Sequence, residues 1–221
     1  MIEAVIFDLD GVLIDSEEVW NDARRQFVIE QGGRWHERAQ RDMMGMSSVE
    51  WSRYISDELG VEGPPERISE EVARRLAGIY RKRLPLVPGA RAAVERLADR
   101  WPLGLASSSN RELIDLVLDL SGLAGSFQVT LSSEEVPRGK PAPDVYLEVA
   151  RRMGREPERC VAIEDSHNGI LAAAAAGMTV IAIPNQAFPP GEQVLAKAAR
   201  VLTSLDELTP EVIESPDRFP G

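Results

Sequence analysis

Two carboxylates near the amino terminus are spaced so that they can act together. Asp8 and Asp10 follow a run of apolar, β-favouring residues, and Gly11 comes directly after them. Because side chains on a strand alternate between its two faces, residues two apart begin on the same side. One interpretation is a strand that ends in polar residues, since Asp-Gly sequences favour turns. The other is a buried strand that brings carboxylates to a cation and a phosphorus centre.

Polar residues recur later in the chain where short apolar segments end. Ser107 and Ser108 follow the second such segment, Lys140 precedes a proline and a helical pattern, and Glu164 and Asp165 follow the fourth segment. Ligands of open α/β sheets bind beyond the carboxyl ends of the strands, so these groups are expected to meet. Taken singly, the serines and the acidic pair could cap helices, and the lysine could be a solvated turn residue. Their shared position at strand ends favours the functional interpretation.

The short apolar segments predict a sheet. Helical patterns separate these segments from residue 88 onward. Strands that are apolar on both faces and alternate with helices are typical of a parallel sheet covered on both sides. The sequence therefore predicts a doubly wound α/β fold. Its strands are expected at residues 5–7, 102–106, 127–131, 160–163, 179–183 and 200–202.

A helical segment interrupts this alternation directly after the first strand. Residues 16–86 have helical periodicity without a strand pattern, and Ser16 is expected to cap the first helix. We therefore predict a core of residues 1–15 and 87–221 with an inserted helical cap of residues 16–86. The final segment, residues 210–221, contains three prolines and is expected to be loosely attached.

A cap that closes over the strand ends would exclude water and select the substrate. The candidate specificity residues are Trp20 and the segment of Met44, Gly45, Met46 and Ser47. Trp20 also lies on an apolar helix face, where a place in the core of the cap is the simpler interpretation.

Composition excludes several classes of partner and site. The formal net charge is -11, the pI is near 4.8 and there is no basic stripe, which argues against a nucleic-acid partner. No apolar run approaches the roughly 20 residues that span a bilayer, and no basic region precedes an apolar segment at the N-terminus. The single cysteine, Cys160, excludes an internal disulfide and predicts a cytoplasmic protein. Two histidines cannot form a multi-histidine zinc site.

Four segments together carry a family resemblance. FDLDGVLIDS, LASSSN, GKPAPD and AIEDSHNG resemble, in this order, the four motifs of the haloacid dehalogenase-like superfamily. The helical insertion resembles the cap of the β-phosphoglucomutase and phosphoglycolate phosphatase branch. The resemblance covers nearly the whole chain. It implies a Rossmann-like core and a Mg²⁺-dependent phosphatase that hydrolyses a small phosphorylated metabolite through an aspartyl phosphate.

The resemblance also implies a role for each candidate residue. Phosphate monoesters hydrolyse very slowly without a catalyst, so a covalent relay and charge neutralisation are needed. Asp8 is expected to attack phosphorus, while Asp10 protonates the leaving alkoxide and later takes a proton from water. An all-oxygen site suits Mg²⁺, held by Asp8, the backbone carbonyl of Asp10 and Asp165, with Glu164 as a further ligand or beside them.

The phosphate itself has its own predicted contacts. Lys140 is expected to hold a phosphate oxygen and to lessen repulsion among the carboxylates, a role that suits a point charge. Ser107 and Ser108, with the backbone N–H groups beside them, are expected to donate hydrogen bonds to the transferring group.

Two other functions fit part of the pattern. A sugar phosphomutase is less favoured, because β-phosphoglucomutases carry histidine at the position of Trp20 and arginine at that of Ser48. A receiver-like phospho-signalling module also combines acidic residues, lysine and Mg²⁺, but the chain is longer than a receiver and has the helical insertion. The sequence leaves open whether the substrate is a sugar phosphate, a polyol phosphate, phosphoglycolate or a nucleotide, and it leaves open the oligomeric state.

Overall fold

The sheet has the predicted parallel, doubly wound form. The computed structural model describes residues 1–44, 46–186 and 188–215. Its strands are β1 (Ala4–Phe7), β2 (Leu103–Ser107), β3 (Phe127–Ser132), β4 (Cys160–Glu164), β5 (Thr179–Ala182) and β6 (Arg200–Val201). They form one parallel sheet in the order β3-β2-β1-β4-β5-β6. Each strand begins and ends within one residue of its predicted range, so the fold-class prediction is confirmed.

Helices cover both faces of this sheet and fill the insertion. In the described ranges they are α1 (Glu17–Glu30), α2 (Ala39–Met43), α3 (Ser48–Asp57), α4 (Pro65–Lys82), α5 (Ala90–Ala98), α6 (Arg111–Ser121), α7 (Asp144–Met153), α8 (His167–Ala175), α9 (Glu192–Leu195) and α10 (Pro210–Glu214). No helix in the described ranges is long and apolar enough to cross a membrane.

Strand β1 is apolar throughout because both of its faces are buried. Val5 and Phe7 belong to one hydrophobic core, which also contains residues of α5 and α6. Ala4 and Ile6 belong to a second core, formed with residues of α7 and α8. Alternation along a strand sends successive side chains to opposite faces, so a run without polar residues marks a strand with no solvent face. This burial places β1 at the middle of the sheet.

The helical insertion leaves and rejoins the α/β part at one point. Ile14 and Leu86 form an antiparallel bridge. The backbone N–H of Asp15 donates to the carbonyl of Pro85 at 2.8 Å, and that of Val87 donates to the carbonyl of Leu13 at 3.0 Å. The two connecting segments therefore lie side by side, at the positions where the sequence predicts the cap to begin and end. The division into core and cap stays a prediction.

The carboxyl-terminal segment is attached more firmly than predicted. Residues 210–214 form α10, and Val212 and Ile213 are buried. The preceding turn is held by Arg96, which donates to the carbonyls of Leu205 and Leu208 at 2.9 to 3.1 Å. Pro210 starts the helix, a position where its missing N–H costs nothing. The expectation of loose attachment is wrong for residues 210–215, and residues 216–221 lie outside the described ranges.

The contact between α7 and β2 provides a test of the fold. A methyl group at Gly104 would lie 2.7 Å from Val149 Cγ1 and 2.8 Å from Met153 Sδ. We expect Gly104→Ala to lower the free energy of unfolding by about 1–3 kcal/mol, as overpacking of a tight core does. Urea denaturation would measure the change. Gly125→Ala is the matched control, because the new methyl group would meet nothing within 4 Å. Equal stability of the two variants would contradict this packing.

Candidate active site

The central strand delivers Asp8 to the carboxyl edge of the sheet. The strand ends at Phe7, and the N–H of Asp8 donates to the carbonyl of Ile163 at 2.9 Å. The chain then turns tightly at Gly11, which has φ +82°. A methyl group there would lie 1.9 Å from Asp165 Oδ2, so this turn packs directly on the second acidic motif. Only glycine satisfies both the backbone angle and this contact.

Lys140 is the centre of the buried charges. Its ammonium donates to Asp8 Oδ1 at 2.8 Å, to Glu164 Oε1 at 2.6 Å and to the carbonyl of Ala106 at 3.0 Å. These three bonds use all three donors of the ammonium. Burial alone would lower the pKa of Lys140, but the charges of Asp8 and Glu164 outweigh burial and raise it. The lysine therefore stays protonated and links the two acidic motifs.

Glu164 is held on both carboxylate oxygens. Besides Lys140, its Oε1 accepts from the hydroxyl of Tyr146 at 2.7 Å. Its Oε2 accepts from the N–H of Asp165 at 3.1 Å, and from the N–H and hydroxyl of Ser166 at 3.2 and 3.0 Å. A methyl group at Gly169 would lie within 2.0 Å of this carboxylate, so the first turn of α8 requires glycine at that position. Glu164 is thereby fixed in one orientation.

Three buried carboxylates gather beside the lysine. Oxygens of Asp8, Glu164 and Asp165 lie within 4.8 Å of one another, and Asp165 Oδ1 is buried without a hydrogen-bond partner among the described residues. Burial raises the pKa of Asp8 to about 8, Glu164 and Asp10 add to the rise, and Lys140 opposes it. Burial and the charges of Glu164 and Asp8 also raise the pKa of Asp165. An all-oxygen site with excess negative charge fits Mg²⁺.

Asp10 is held by four donors from two parts of the chain. Its Oδ1 accepts from the hydroxyl of Ser16 at 2.7 Å and from the indole N–H of Trp20 at 3.1 Å. Its Oδ2 accepts from the hydroxyls of Ser107 at 3.3 Å and Ser109 at 2.7 Å. Ser16 stands at the predicted N-cap position of α1, but its side chain makes no capping hydrogen bond and binds Asp10 instead. The Asp10 carboxylate thus joins the helical insertion to the end of β2.

The predicted phosphate-binding residues have different surroundings. Ser107 is fully buried, and its hydroxyl donates to Asp10 while accepting from the N–H of Ser109 at 3.0 Å. Ser108 lines the cavity at the strand ends, and its buried hydroxyl has no partner among the described residues. Lys140 lines the same cavity. Of the two predicted serines, Ser108 therefore has the hydroxyl that is available to a ligand.

The insertion forms the other wall of the cavity. Trp20 and Met46, two predicted specificity residues, line it. Ser47 caps α3 instead, since its hydroxyl accepts from the N–H of Glu50 and the Glu50 carboxylate accepts from the Ser47 N–H at 2.8 Å. Gly45 lies outside the described residues. Met44, from the same predicted segment, also lines the cavity, and the lining residues that the sequence did not single out are Glu17, Arg24, Trp51, Ser109 and Ser166.

Three of the unpredicted residues, all in contact with Asp10 or Glu164, were missed for different reasons. Tyr146 lies on the buried face of α7, where an aromatic residue is typical of a hydrophobic core. Ser109 follows the predicted pair of serines directly, so composition alone does not separate it from them. Ser166 could have been found as a helix cap, because its hydroxyl accepts from the N–H of Gly169. Its second contact, with Glu164, required the structure.

Comparison with known proteins identifies relatives over the full fold. Residues 2–177 match the sequence model of the family described as haloacid dehalogenase-like hydrolase. Hexitol phosphatase B of Escherichia coli K12 is 36% identical over 228 residues, covering 94% of this chain and 95% of the relative. The phosphorylated carbohydrates phosphatase of Thermotoga maritima is 32% identical over 209 residues, covering 94% and 96%.

Solved structures of relatives share the fold over nearly the whole chain. The crystal structure of β-phosphoglucomutase from Clostridium difficile superposes with a TM-score of 0.84 at 26% identity, covering 97% of this chain and 96% of that one. CbbY from Rhodobacter sphaeroides, solved in complex with phosphate, gives a TM-score of 0.83 at 27% identity, covering 94% and 96%.

The acidic cluster makes a thermodynamic prediction. Without a cation, Asp165 is a buried carboxylate with one unpartnered oxygen, which destabilises the fold. We expect Asp165→Asn to raise the metal-free Tm by roughly 2–4 °C, the shift that about 1 kcal/mol gives at this chain length. We expect added Mg²⁺ to raise the Tm of the wild type but not of the variant, because a ligand that binds only the folded state stabilises it. Differential scanning fluorimetry would measure both shifts.

The control for this experiment is Asp99→Asn, which removes an exposed carboxylate. It is expected to retain the wild-type response to Mg²⁺. An undiminished Mg²⁺ shift in Asp165→Asn would show that the cation binds elsewhere.

Proposed function

The chain belongs to the haloacid dehalogenase-like hydrolase family, and we propose that it is a Mg²⁺-dependent phosphatase acting on a small phosphorylated metabolite. The observation that carries the proposal is the Lys140 ammonium, bonded at once to Asp8 and Glu164 at the floor of a cavity. The names of the relatives, hexitol phosphatase B and phosphorylated carbohydrates phosphatase, support a sugar or polyol phosphate as the substrate.

Asp8 is the proposed nucleophile. One of its carboxylate oxygens forms a bond to phosphorus while the bond between phosphorus and the ester oxygen breaks, which leaves an aspartyl phosphate and an alkoxide. The contact with Lys140 fixes the orientation of the carboxylate and offsets the charge of the incoming phosphate. The unpartnered hydroxyl of Ser108 is placed to donate to a phosphoryl oxygen.

Asp10 is the proposed acid and base. In its protonated form it gives a proton to the alkoxide, which leaves as an alcohol. The resulting carboxylate then takes a proton from water as the water oxygen attacks phosphorus. The bond between phosphorus and Asp8 breaks, inorganic phosphate leaves and both aspartates return to their starting states. The four donors around Asp10 hold it in one place for both transfers.

Mg²⁺ is the proposed cation. Asp8, Asp165 and the backbone carbonyl of Asp10 would hold it, with Glu164 as a further ligand or beside them. Asp165 Oδ1 supports this assignment, because it is a buried acceptor without a partner among the described residues. When bound, the cation neutralises the carboxylates and the phosphoryl oxygens. Glu164 already accepts five hydrogen bonds, so its main contribution is to fix Lys140 and the N-terminus of α8.

The insertion, residues 16–86, is proposed as a cap that selects the substrate. It supplies one wall of the cavity and touches the α/β part away from the cavity as well. The hydroxyl of Ser48 donates to Glu134 Oε1 at 2.5 Å, and the amide of Asn110 donates to the hydroxyl of Ser69 at 2.9 Å. These contacts support a closed arrangement in which water is excluded from the reacting atoms.

A sugar phosphomutase is the second candidate, favoured by the likeness to β-phosphoglucomutase. The surroundings of Trp20 and Ser48 weigh against it. Trp20 donates to Asp10, and the Ser48 hydroxyl is bonded to Glu134, so neither offers the histidine or arginine of a mutase. Phosphorus NMR of a hexose phosphate with the enzyme separates the two, since a mutase interconverts isomers and a phosphatase releases inorganic phosphate. Repeated turnover likewise distinguishes either enzyme from a receiver-like signalling module.

The nucleophile can be tested directly. We expect Asp8→Asn to abolish hydrolysis of p-nitrophenyl phosphate in the presence of Mg²⁺, because an amide cannot form the aspartyl phosphate. Asp22→Asn, an exposed carboxylate on α1, is the control and is expected to keep wild-type turnover. Circular dichroism would verify that both variants fold. Wild-type turnover in folded Asp8→Asn would refute the assignment.

The position of Asp10 depends on Ser109, a residue not predicted from the sequence. We expect Ser109→Ala to lower kcat for p-nitrophenyl phosphate by about tenfold, the effect of losing one hydrogen bond to a charged group. Ser126→Ala, in the turn between α6 and β3, serves as the control. A kcat unchanged in Ser109→Ala would mean that the other three donors suffice.

A further inference from the structure

A buried arginine lies in the wall of the cavity that the insertion provides. Arg24 belongs to α1 and is only 5% exposed. It lines the same cavity as Asp8 and Lys140. Its guanidinium carbon lies 4.4 Å from the ring centroid of Trp20 and 4.8 Å from that of Trp51. The two rings meet edge to face, with centroids 5.8 Å apart and planes at 68°, so they lie on adjacent sides of the cation and hold it in position.

The guanidinium has no polar partner among the residues that the structure describes. Its Nε is buried without a hydrogen bond, and Arg24 forms no ion pair with any residue in the described ranges. Burial lowers its pKa to about 10, and the charges of Glu17 and Asp10 oppose this fall, so the group stays charged at neutral pH. A buried cation without hydrogen bonds is costly, and proteins seldom keep one unless it is paired. An anion that enters the cavity would supply the pairing.

The shape of the site limits what this anion can be. The indoles leave part of the guanidinium facing the cavity, and the parallel N–H groups of a guanidinium match a carboxylate or a phosphate. Of the four carboxylates that line the cavity, Glu17 and Asp10 are the two whose charges act on Arg24. Glu17 Oε2 accepts from the amide of Gln40 at 2.9 Å, and Asp10 is held by its four donors. Their negative charge favours a singly charged ligand over a doubly charged one near Arg24.

We propose that Arg24 binds a carboxylate at the end of the substrate remote from the transferred phosphate. This inference rests on the proposed phosphatase function and narrows its substrate to a phosphorylated sugar acid. Glu17, in the same wall, is positioned to accept a hydrogen bond from a hydroxyl of such a substrate. Arg24 is then a specificity residue that acts on binding, whereas Asp8 and Asp10 act on phosphorus.

Matched pairs of alcohol and acid test the proposal. The pairs are glycerol 3-phosphate with 3-phosphoglycerate, erythritol 4-phosphate with 4-phosphoerythronate, and glucitol 6-phosphate with 6-phosphogluconate. Within each pair only the remote group changes. We expect kcat/KM to favour the acid in at least one pair. We expect Arg24→Met to lower that acid-to-alcohol ratio by at least about tenfold, mainly through KM, because a charge-assisted bidentate contact is lost.

Two further variants separate recognition from folding. Arg24→Lys keeps the charge but loses the planar fork, so its ratio is expected to lie between those of the wild type and Arg24→Met. Arg25→Met removes an exposed cation from the neighbouring position and is expected to leave the ratio and the basal activity unchanged. The Tm of each variant would be recorded. An equal fall for acid and alcohol in Arg24→Met would assign Arg24 a structural role and overturn the proposal.

The failure of this inference is distinguishable from failure of the proposed function. Asp8-dependent hydrolysis of p-nitrophenyl phosphate with no preference for an acid in any pair would overturn the inference alone. Glucitol 1,6-bisphosphate is compared with the six-carbon pair because it carries a phosphate in place of the remote carboxylate. An Arg24-dependent preference for it over 6-phosphogluconate would overturn the choice of carboxylate. Calorimetry on Asp8→Asn, which cannot turn over, measures the affinity of both members of a pair. Tighter Arg24-dependent binding of the acid there would support the inference even if no hydrolysis were found.

Discussion

The balance between one buried ammonium and three buried carboxylates governs this structure. Lys140 compensates two of the acidic groups, Asp8 and Glu164, and leaves Asp165 with an oxygen that nothing in the described chain satisfies. Isolated charges in an apolar interior are unstable unless partners or a metal ion compensate them. Three carboxylates against one ammonium leave two negative charges uncompensated, and that deficit explains why a phosphatase of this kind would need a divalent cation.

The fold supplies this charge arrangement through the edge of a parallel sheet. Asp8 and Glu164 come from adjacent strands, β1 and β4, and their register is fixed by the hydrogen bonds between those strands. Lys140 comes from the loop before α7, and the hydroxyl of Tyr146 on that helix donates a hydrogen bond to Glu164. Since β1 is buried on both faces, its position cannot shift without exposing one of two hydrophobic cores. Rigid apolar packing thus determines where the charges stand.

Much of this organisation could be predicted from the sequence, because it depends on local patterns. The alternation of apolar runs and helical periodicity located every strand to within a residue, and polar residues at strand ends identified the acidic motifs and Lys140. Contacts between distant elements carry no such pattern. Nothing in the sequence around Arg24 distinguishes a buried cation packed against two indoles from a solvated residue on a helix, and Ser16 has the sequence signature of a cap that it does not form. The prediction of a loosely attached segment from residue 210 was wrong for a related reason. Proline is found both at the first position of helices and where helices are interrupted, so Pro210 alone does not show which applies.

The paired segments that connect the insertion to the α/β part have a consequence for how such proteins diversify. Because Leu13 and Val87 are hydrogen-bonded neighbours, the α/β part closes on itself as if the residues between them were the tip of a hairpin. The length and helix content of the inserted part can then change in evolution, because the distance between Leu13 and Val87 in the α/β part stays the same. The entropic cost of closing a loop grows only slowly with its length, so the α/β part can accept insertions of very different size. One scaffold for phosphoryl transfer can in this way be combined with many different substrate pockets.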